Sequence, residues 1–179
     1  MLSKVRHYVP QDKIISIYHA IFASHMTYGC QIWGQNDKNS LFKKIKRLQK
    51  RAIRIITFSN YDAHTEPLFK QLKILKIKDI ITLYNCIFIH DFSKNLLPSS
   101  FNDFFTLCTD LHETDTRRTE GCVFVPQVAT TRYGRQSIWV SSILRWNHLT
   151  EVMDQNLFSF TKPMLKKSLT QFFLNSYST

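Results

Sequence analysis

With 179 residues, 44% of them hydrophobic and 13% aromatic, the chain has the composition of a folded protein and not of a disordered tail. Its length allows one good core or two small packed units. A net charge of +11 and a pI near 9.6 favour a nucleic acid or another anionic partner, because twelve of the twenty-four Lys and Arg residues lie between Lys38 and Lys78.

The cysteines and the apolar segments indicate the compartment. The four cysteines, Cys30, Cys86, Cys108 and Cys122, are scattered, without the close pairs of a disulfide framework. The residues after Met1 lack the apolar core of a signal peptide, and the run from 77 to 92 is broken by charged and polar side chains. We therefore expect a soluble, intracellular chain, nuclear or cytoplasmic, with no membrane partner.

The first predicted helix begins at Pro10, where the missing amide proton is harmless, and reaches about Met26. One face of this helix carries Ile14, Tyr18, Ile21 and His25. Tyr28-Gly29 is predicted to be either a close packing point or a kink. Trp33-Gly34 and the polar residues 35–39 are predicted to form the turn into the second helix.

The second predicted helix, Asn39 to Thr57, is the most charged part of the chain. It carries seven cations and no acidic residue: Lys43, Lys44, Lys46, Arg47, Lys50, Arg51 and Arg54. Apolar residues recur among them at the three-and-four spacing of one helix face, at Leu41, Ile45, Leu48, Ala52 and Ile55. We expect this stripe to be buried against the first helix, and Lys43, Arg47, Lys50 and Arg54 to be exposed.

Two further helices complete the N-terminal part. Thr65-Glu66-Pro67 has the features of a helix start: a capping hydroxyl, a carboxylate at the positive end and Pro in the first turn. Leu68, Leu72 and Leu75 supply its apolar stripe, and another helix is predicted from about residue 79 to 93. Four helices with short links favour an antiparallel helical array over residues 1–105.

The C-terminal part has a different pattern. Residues 106–120 are polar and mixed in charge, which predicts a linker or loop. The stretches 122–125 and 130–133 are β-branched and predict short strands, whereas 138–146 fits either a strand or a helix. A terminal helix is predicted over 157–175. The expected fold class is mainly α: an antiparallel helical array, then a small unit over 121–179 with short β-strands and a terminal helix.

The chain offers little that could carry chemistry. Its four glycines form no phosphate-binding loop, and no pair of aspartates follows an apolar strand as a two-metal site requires. Cys108, His112 and Cys122 have the right atoms for zinc but lack a fourth ligand and a CxxC pair. We therefore predict no catalytic residue, no metal and no cofactor.

The unopposed positive face is the candidate binding site. Lys and Arg side chains neutralise phosphates without reading base sequence, so the seven cations of the second helix predict contact with a nucleic-acid backbone. Arg117 and Arg118, together with Arg132 and Arg135, would add a second anchor from the C-terminal part. The alternative is an ordinary solvated helix face, which is common but seldom has seven cations and no balancing carboxylate.

Several sequence blocks occur in order along nearly the whole chain. They are Lys4–Pro10 (KVRHYVP), Ser24–Gly34 (SHMTYGCQIWG), Leu48–Ile56 (LQKRAIRII), His64–Phe69 (HTEPLF), Leu72–Leu75, Leu97-Pro98, Thr116-Arg117, Trp146–Leu149 (WNHL) and the final helix with Phe160. Together these blocks resemble the C-terminal part of the reverse transcriptases of non-LTR retrotransposons, the jockey-like and related long interspersed elements.

The resemblance implies a thumb-like region that follows the polymerase palm and grips the template–primer duplex. It implies nucleic acid (RNA, DNA or a hybrid duplex) as partner, and a separate polymerase palm domain as a second partner. The family's catalytic aspartates lie upstream of this region, and its endonuclease domain is also outside it. We therefore expect this chain to be non-catalytic.

Two other functions remain open from the residues alone. The chain could be a helical protein-interaction module whose apolar surface once faced the palm, or the product of a decayed element with no selected function. The first of these predicts self-association that is insensitive to salt and a lack of nucleic-acid binding.

Overall fold

A computed structural model of the chain describes residues 2–36, 39–101, 103–111 and 121–177, except for the side chain of Arg132. The described part is mainly helical, as predicted, and it contains no β-sheet. It forms two compact units, Met1–Ile81 with Thr170–Thr179 and Thr82–Leu169. The boundaries between the units fall at residues 81/82 and 169/170. The expected linker at 106–120 stays a prediction, and residues 112–120 lie outside the described part.

The first unit is built from short helices around one long one. Its elements are α1 (Leu2–Val5), α2 (Gln11–Ile17), a π-helical segment (Tyr18–Ala23), α3 (Ser24–Thr27), α4 (Cys30–Trp33), α5 (Ser40–Ile56), α6 (Glu66–Gln71) and the first turn of α7 (Ile77–Ser93). α5 contacts α1, α2 and α6. The predicted contact between the second helix and the first is confirmed, while the antiparallel arrangement stays a prediction.

The second unit contains the rest of α7 and the elements that follow it. These are a 3₁₀ turn (Ser99–Phe101), α8 (Cys108–Leu111), a π-helical turn (Thr131–Arg135), α9 (Ile138–Met153), a 3₁₀ turn (Leu157–Ser159) and most of α10 (Lys162–Asn175). Residues 138–146, for which the sequence fits either a strand or a helix, form the first part of the helix α9. The Ser137 hydroxyl accepts from the Val140 amide and caps this helix.

The prediction of short strands over 122–125 and 130–133 is wrong. Among the described residues, the only trace of pairing is an isolated antiparallel bridge between Leu107 and Val123. The Asn147 side chain accepts from the Val123 amide at 2.9 Å and donates to its carbonyl at 2.7 Å. Because one side chain satisfies both backbone groups, Val123 needs no partner strand there.

The first predicted helix is confirmed over α2, the π-helical segment and α3, and it ends one residue beyond the expected Met26. Gly29 then adopts the left-handed conformation with φ 58°, and the chain turns into α4. Gly34 ends α4 against the first turn of α7: an added Cβ would lie 2.5 Å from the Cys30 carbonyl oxygen and closer still to Ile81. Gly34 is therefore a close packing point, where a larger residue would not fit.

Among the described residues, no helix has both the length and the apolar character that crossing a bilayer requires.

Candidate nucleic-acid interface

The helix α5 carries the predicted cations, and its sequence explains both of its ends. The Asn39 side chain accepts from the Leu41 amide at 3.1 Å, which caps the N-terminus. The interior contains no Gly or Pro, and Lys, Arg and Gln are good helix formers. Phe58 takes a left-handed conformation with φ 55°, and the Ser59 amide donates to the Arg54 carbonyl at 3.0 Å, which closes the C-terminal end.

The buried stripe of α5 differs from the expected one. The residues that the structure buries are Phe42, Gln49, Ala52, Ile53 and Ile56. Leu41 and Leu48 are 62% and 53% exposed, so their predicted burial is wrong, and Ile45 and Ile55 are half-buried. The two stripes differ by one position, which is a rotation of about 100° on a helix. The stripe that contains a glutamine is the one that faces the core.

Gln49 is the residue that sequence reasoning missed. Its side-chain amide donates to the Tyr18 hydroxyl at 3.2 Å and to the Leu75 carbonyl at 2.9 Å, and it accepts from the Ile77 amide at 2.9 Å. Gln49 is buried, and these three hydrogen bonds use both of its N–H donors and its carbonyl oxygen. It joins α5 to the π-helical segment and to the start of α7, and it orients the cationic face.

Burial also acts on the tyrosine that Gln49 contacts. Removal from water raises the pKa of the Tyr18 hydroxyl to about 12, although the hydrogen bond from Gln49 acts in the opposite direction. Tyr18 is therefore a neutral core residue at physiological pH. It contributes packing and one hydrogen-bond acceptor to the support of α5.

Five of the seven cations of α5 are exposed: Lys43, Lys44, Lys46, Arg47 and Arg51. The predicted exposure of Lys43 and Arg47 is confirmed. Lys50 and Arg54 are half-buried, so their predicted exposure is wrong in degree. The reason at Arg54 is geometric, because its Nε donates to the Ala63 carbonyl at 2.9 Å and its guanidinium carbon lies 5.9 Å from the centre of the Tyr61 ring.

A surface groove of about 400 Å³ runs along this cationic face. Its lining consists of Lys44, Arg47, Leu48, Lys50, Arg51, Arg54 and Tyr61. None of these lining residues is acidic, so the groove favours an anionic ligand over a cationic one. An anion that enters it meets the ends of Lys and Arg side chains, which donate hydrogen bonds to phosphate oxygens.

A second pocket of about 290 Å³ lies on the other side of Lys50 and has mixed charge. There the Glu66 carboxylate pairs with Lys76 at 2.5 Å. The Lys76 ammonium lowers the pKa of Glu66, by hydrogen bonding and by charge, and Lys50 adds a smaller effect in the same direction. Glu66 and Asp79 supply counter-charge in this pocket, so it is a weaker candidate for a polyanion than the groove along α5.

Of the four arginines expected to form a second anchor, only Arg135 has a described side chain. Arg117 and Arg118 lie outside the described residues, as does the side chain of Arg132. Arg135 is exposed at the end of the π-helical turn Thr131–Arg135. The participation of these four residues in binding stays a prediction.

Burial acts on two of the described thiols, those of Cys86 and Cys108. Cys86 is fully buried, and burial raises the pKa of its thiol to about 12. Burial also raises the pKa of Cys108. Within the described ranges no three His, Cys, Asp or Glu side chains are grouped as metal ligands. The described feature that suits a ligand is therefore the cationic groove along α5, which favours an anion.

Part of the chain is similar in sequence to a known polymerase. Over 91 residues, 49% of this chain, it is 32% identical to the probable RNA-directed DNA polymerase from transposon X-element of Drosophila melanogaster, and the match spans 10% of that protein. No family model and no solved structure matches the chain. About half of this chain is thus similar to a region of a retrotransposon RNA-directed DNA polymerase.

Proposed function

We propose that this chain is a non-catalytic, thumb-like region of a non-LTR retroelement reverse transcriptase and that it binds the backbone of a nucleic-acid duplex. The observation that carries the proposal is the groove along α5, which is lined by five cations and no carboxylate. The similarity to the polymerase of the X-element supports the same kind of partner. The parent activity, RNA-directed DNA synthesis, is not part of the proposal for this chain.

The binding is electrostatic and independent of base sequence. Lys and Arg side chains that reach phosphates displace condensed counterions, and each neutralised phosphate makes affinity more sensitive to salt. The residues proposed to make these contacts are Lys43, Lys44, Lys46, Arg47, Lys50 and Arg51. Arg54 has a supporting role, because its Nε is already bonded to the Ala63 carbonyl.

The experiment is fluorescence anisotropy with a labelled RNA–DNA hybrid. The test variant combines Lys43→Glu, Arg47→Glu and Arg51→Glu, three exposed positions on α5. A control with the same change in net charge combines Lys13→Glu, Lys73→Glu and Lys167→Glu, which are exposed elsewhere. We expect the first variant to lose at least tenfold in affinity and the control to lose much less. Equal affinity of both variants and the wild type for the hybrid would contradict the proposal.

One observation favours a second function, that of a protein-interaction module. An apolar groove of about 370 Å³ lies between the first helix and α5. It is lined by Leu2, Ser3, Ile17, Tyr18, Ile21, Phe22, Leu48, Arg51, Ala52 and Ile55. Two of its apolar side chains are substantially exposed, Ile21 by 46% and Leu48 by 53%. Apolar surface of this kind is typical of a docking site.

The occupant of this apolar groove would be a segment of a separate polymerase palm domain that carries acidic residues beside apolar ones. Charge complementarity is the reason, because the only charged residue among the lining positions is Arg51 and the adjacent face of α5 is cationic. Gel filtration separates the two functions. A salt-insensitive oligomer that binds no hybrid duplex favours the interaction module, whereas a monomer that binds the duplex favours the backbone-binding function.

A further inference from the structure

An exposed tyrosine lies in the cationic groove. Tyr61 is 86% exposed and lines the same groove as Lys44, Arg47 and Arg51. Its position follows from Arg54, whose Nε bonds to the Ala63 carbonyl and whose guanidinium lies 5.9 Å from the Tyr61 ring. The turn after α5 is thereby held against the helix, and the ring is held beside the cations.

The neighbouring aromatic residue has a different environment. Phe58 is 51% exposed, and its ring already has two partners: the Arg6 guanidinium at 5.2 Å and the His7 ring at 6.1 Å, edge to face. Tyr61 has one described partner, Arg54, and far more free surface. Of the two aromatic rings that follow α5, Tyr61 is therefore the one that can accept a further planar group.

Cations that hold a backbone and an aromatic ring that stacks a base are the two parts of a single-strand binding site. The cations Lys44, Arg47 and Arg51 follow at spacings of three and four, so they lie on one face of α5. The groove volume of about 400 Å³ falls within the range of about 300–1,000 Å³ typical of small-molecule sites. A base with its sugar and phosphate is a ligand of that class.

We propose that Tyr61 stacks on an unpaired nucleobase while Lys44, Arg47 and Arg51 hold the phosphates of the same strand. The groove then binds a single-stranded segment, such as an overhang next to the duplex. This inference rests on the proposed backbone-binding function and adds a contact to a base. Since every base has a π face, the contact is indifferent to sequence.

The direct test compares two single strands of equal charge. One is a labelled 15-nucleotide oligothymidylate, and the other is a strand of the same length in which the central nucleotides are abasic. The wild-type chain should bind the intact strand about 5- to 150-fold more tightly, which is the range that base–aromatic stacking supplies. Equal affinity of the wild type for the two strands overturns the stacking proposal.

Substitutions test whether Tyr61 makes the stacking contact. Tyr61→Leu should remove the preference for the intact strand, and Tyr61→Phe should retain it. Tyr133→Leu is the control, because Tyr133 is 83% exposed and belongs to the other compact unit. A strand with 2-aminopurine at its centre gives a readout that fold stability does not move: its fluorescence should fall on binding to the wild type and not to Tyr61→Leu. A preference that survives in Tyr61→Leu overturns the assignment.

Failure of this inference is distinct from failure of the proposed function. If duplex binding is lost on charge reversal of α5 but the abasic strand binds as well as the intact one, only the stacking contact is wrong. If the wild type binds neither strand nor duplex, the backbone-binding function fails and the stacking contact fails with it.

Discussion

At the scale of single residues, a buried amide explains how a highly charged helix is held to a core. Gln49 uses its side chain to satisfy two backbone groups, the Leu75 carbonyl before α7 and the Ile77 amide at its first residue. A leucine at this position would fill similar space but would leave these groups without partners. Unsatisfied buried backbone groups cost about 1–3 kcal/mol each.

Gln49→Leu should therefore lower the free energy of unfolding by about 3 kcal/mol, with the loss arising from the two orphaned backbone groups and the Tyr18 hydroxyl. Urea denaturation followed by circular dichroism measures the change. The matched control is Lys46→Leu, an exposed position one turn earlier on α5, where the change should stay within about 0.5 kcal/mol. Equal losses in the two variants would contradict the role of the amide.

A second buried network makes stability depend on pH. The Tyr177 hydroxyl donates to the Asp79 carboxylate and accepts from the Lys76 amide at 2.9 Å. Burial raises the pKa of Asp79, and the hydrogen bond from Tyr177 offsets part of that rise. Because the folded state disfavours the ionised carboxylate, stability is lost as pH rises from the unfolded pKa of about 3.9 through the raised folded pKa.

Asp79→Asn keeps an acceptor for Tyr177 but removes the charge. The unfolding free energy of this variant should exceed that of the wild type by an amount that grows as pH rises through the same window and is constant below it. Urea denaturation at several pH values from 3 to 7 gives the difference in unfolding free energy between the variant and the wild type. The contributions of the other carboxylates cancel in this difference, because both proteins contain them. A difference that falls with rising pH would show that the network favours the ionised form.

At the scale of elements, α5 shows what the pattern of residues predicts and where it is ambiguous. The existence, ends and charge of this helix follow from its sequence, because Asn39 caps it and five of its seven cations are exposed. Its apolar residues form two overlapping stripes, one through Leu48 and one through Ile53. The rule that polar side chains face solvent favours the first stripe. The structure buries the second, because Gln49 finds partners in segments distant in sequence.

The same limit explains the missing strands. Residues 122–125 have the composition of a strand, but whether a strand forms depends on what meets its backbone. The partner of Val123 is the Asn147 side chain, twenty-four residues further along the chain. Local patterns contain no information about such a contact. The cations of the candidate interface, in contrast, are predictable because charge is a property of each residue.

The assignment of the buried stripe is testable with two truncations. Ile53 is fully buried, and Ile53→Ala should destabilise the chain by about 2–5 kcal/mol because it leaves a cavity. Leu48 is 53% exposed, and Leu48→Ala should cost about 1 kcal/mol or less. Thermal or urea unfolding of the two variants compares them directly. A greater loss for Leu48→Ala would restore the stripe expected from the sequence.

At the scale of the whole molecule, charge is the dominant property. The chain carries a net charge of +11, and seven of its cations lie on one helix without a carboxylate between them. Such a face destabilises itself by repulsion and gains most from a polyanion that covers it. If about four of these side chains reach phosphates of a duplex, the logarithm of the association constant should fall with the logarithm of salt concentration with a slope of about −3 to −4.

The salt dependence of binding to an RNA–DNA hybrid is the most direct test of the central claim. We predict a slope of about −3 to −4 for the wild type and for the charge-matched control Lys13→Glu, Lys73→Glu, Lys167→Glu. For Lys43→Glu, Arg47→Glu, Arg51→Glu the slope should become shallower, about −1 to −2, because the variant removes three of the six cations proposed to contact phosphates. A slope near −3 to −4 in the α5 variant would contradict the account, since the phosphates would then be bound by other cations.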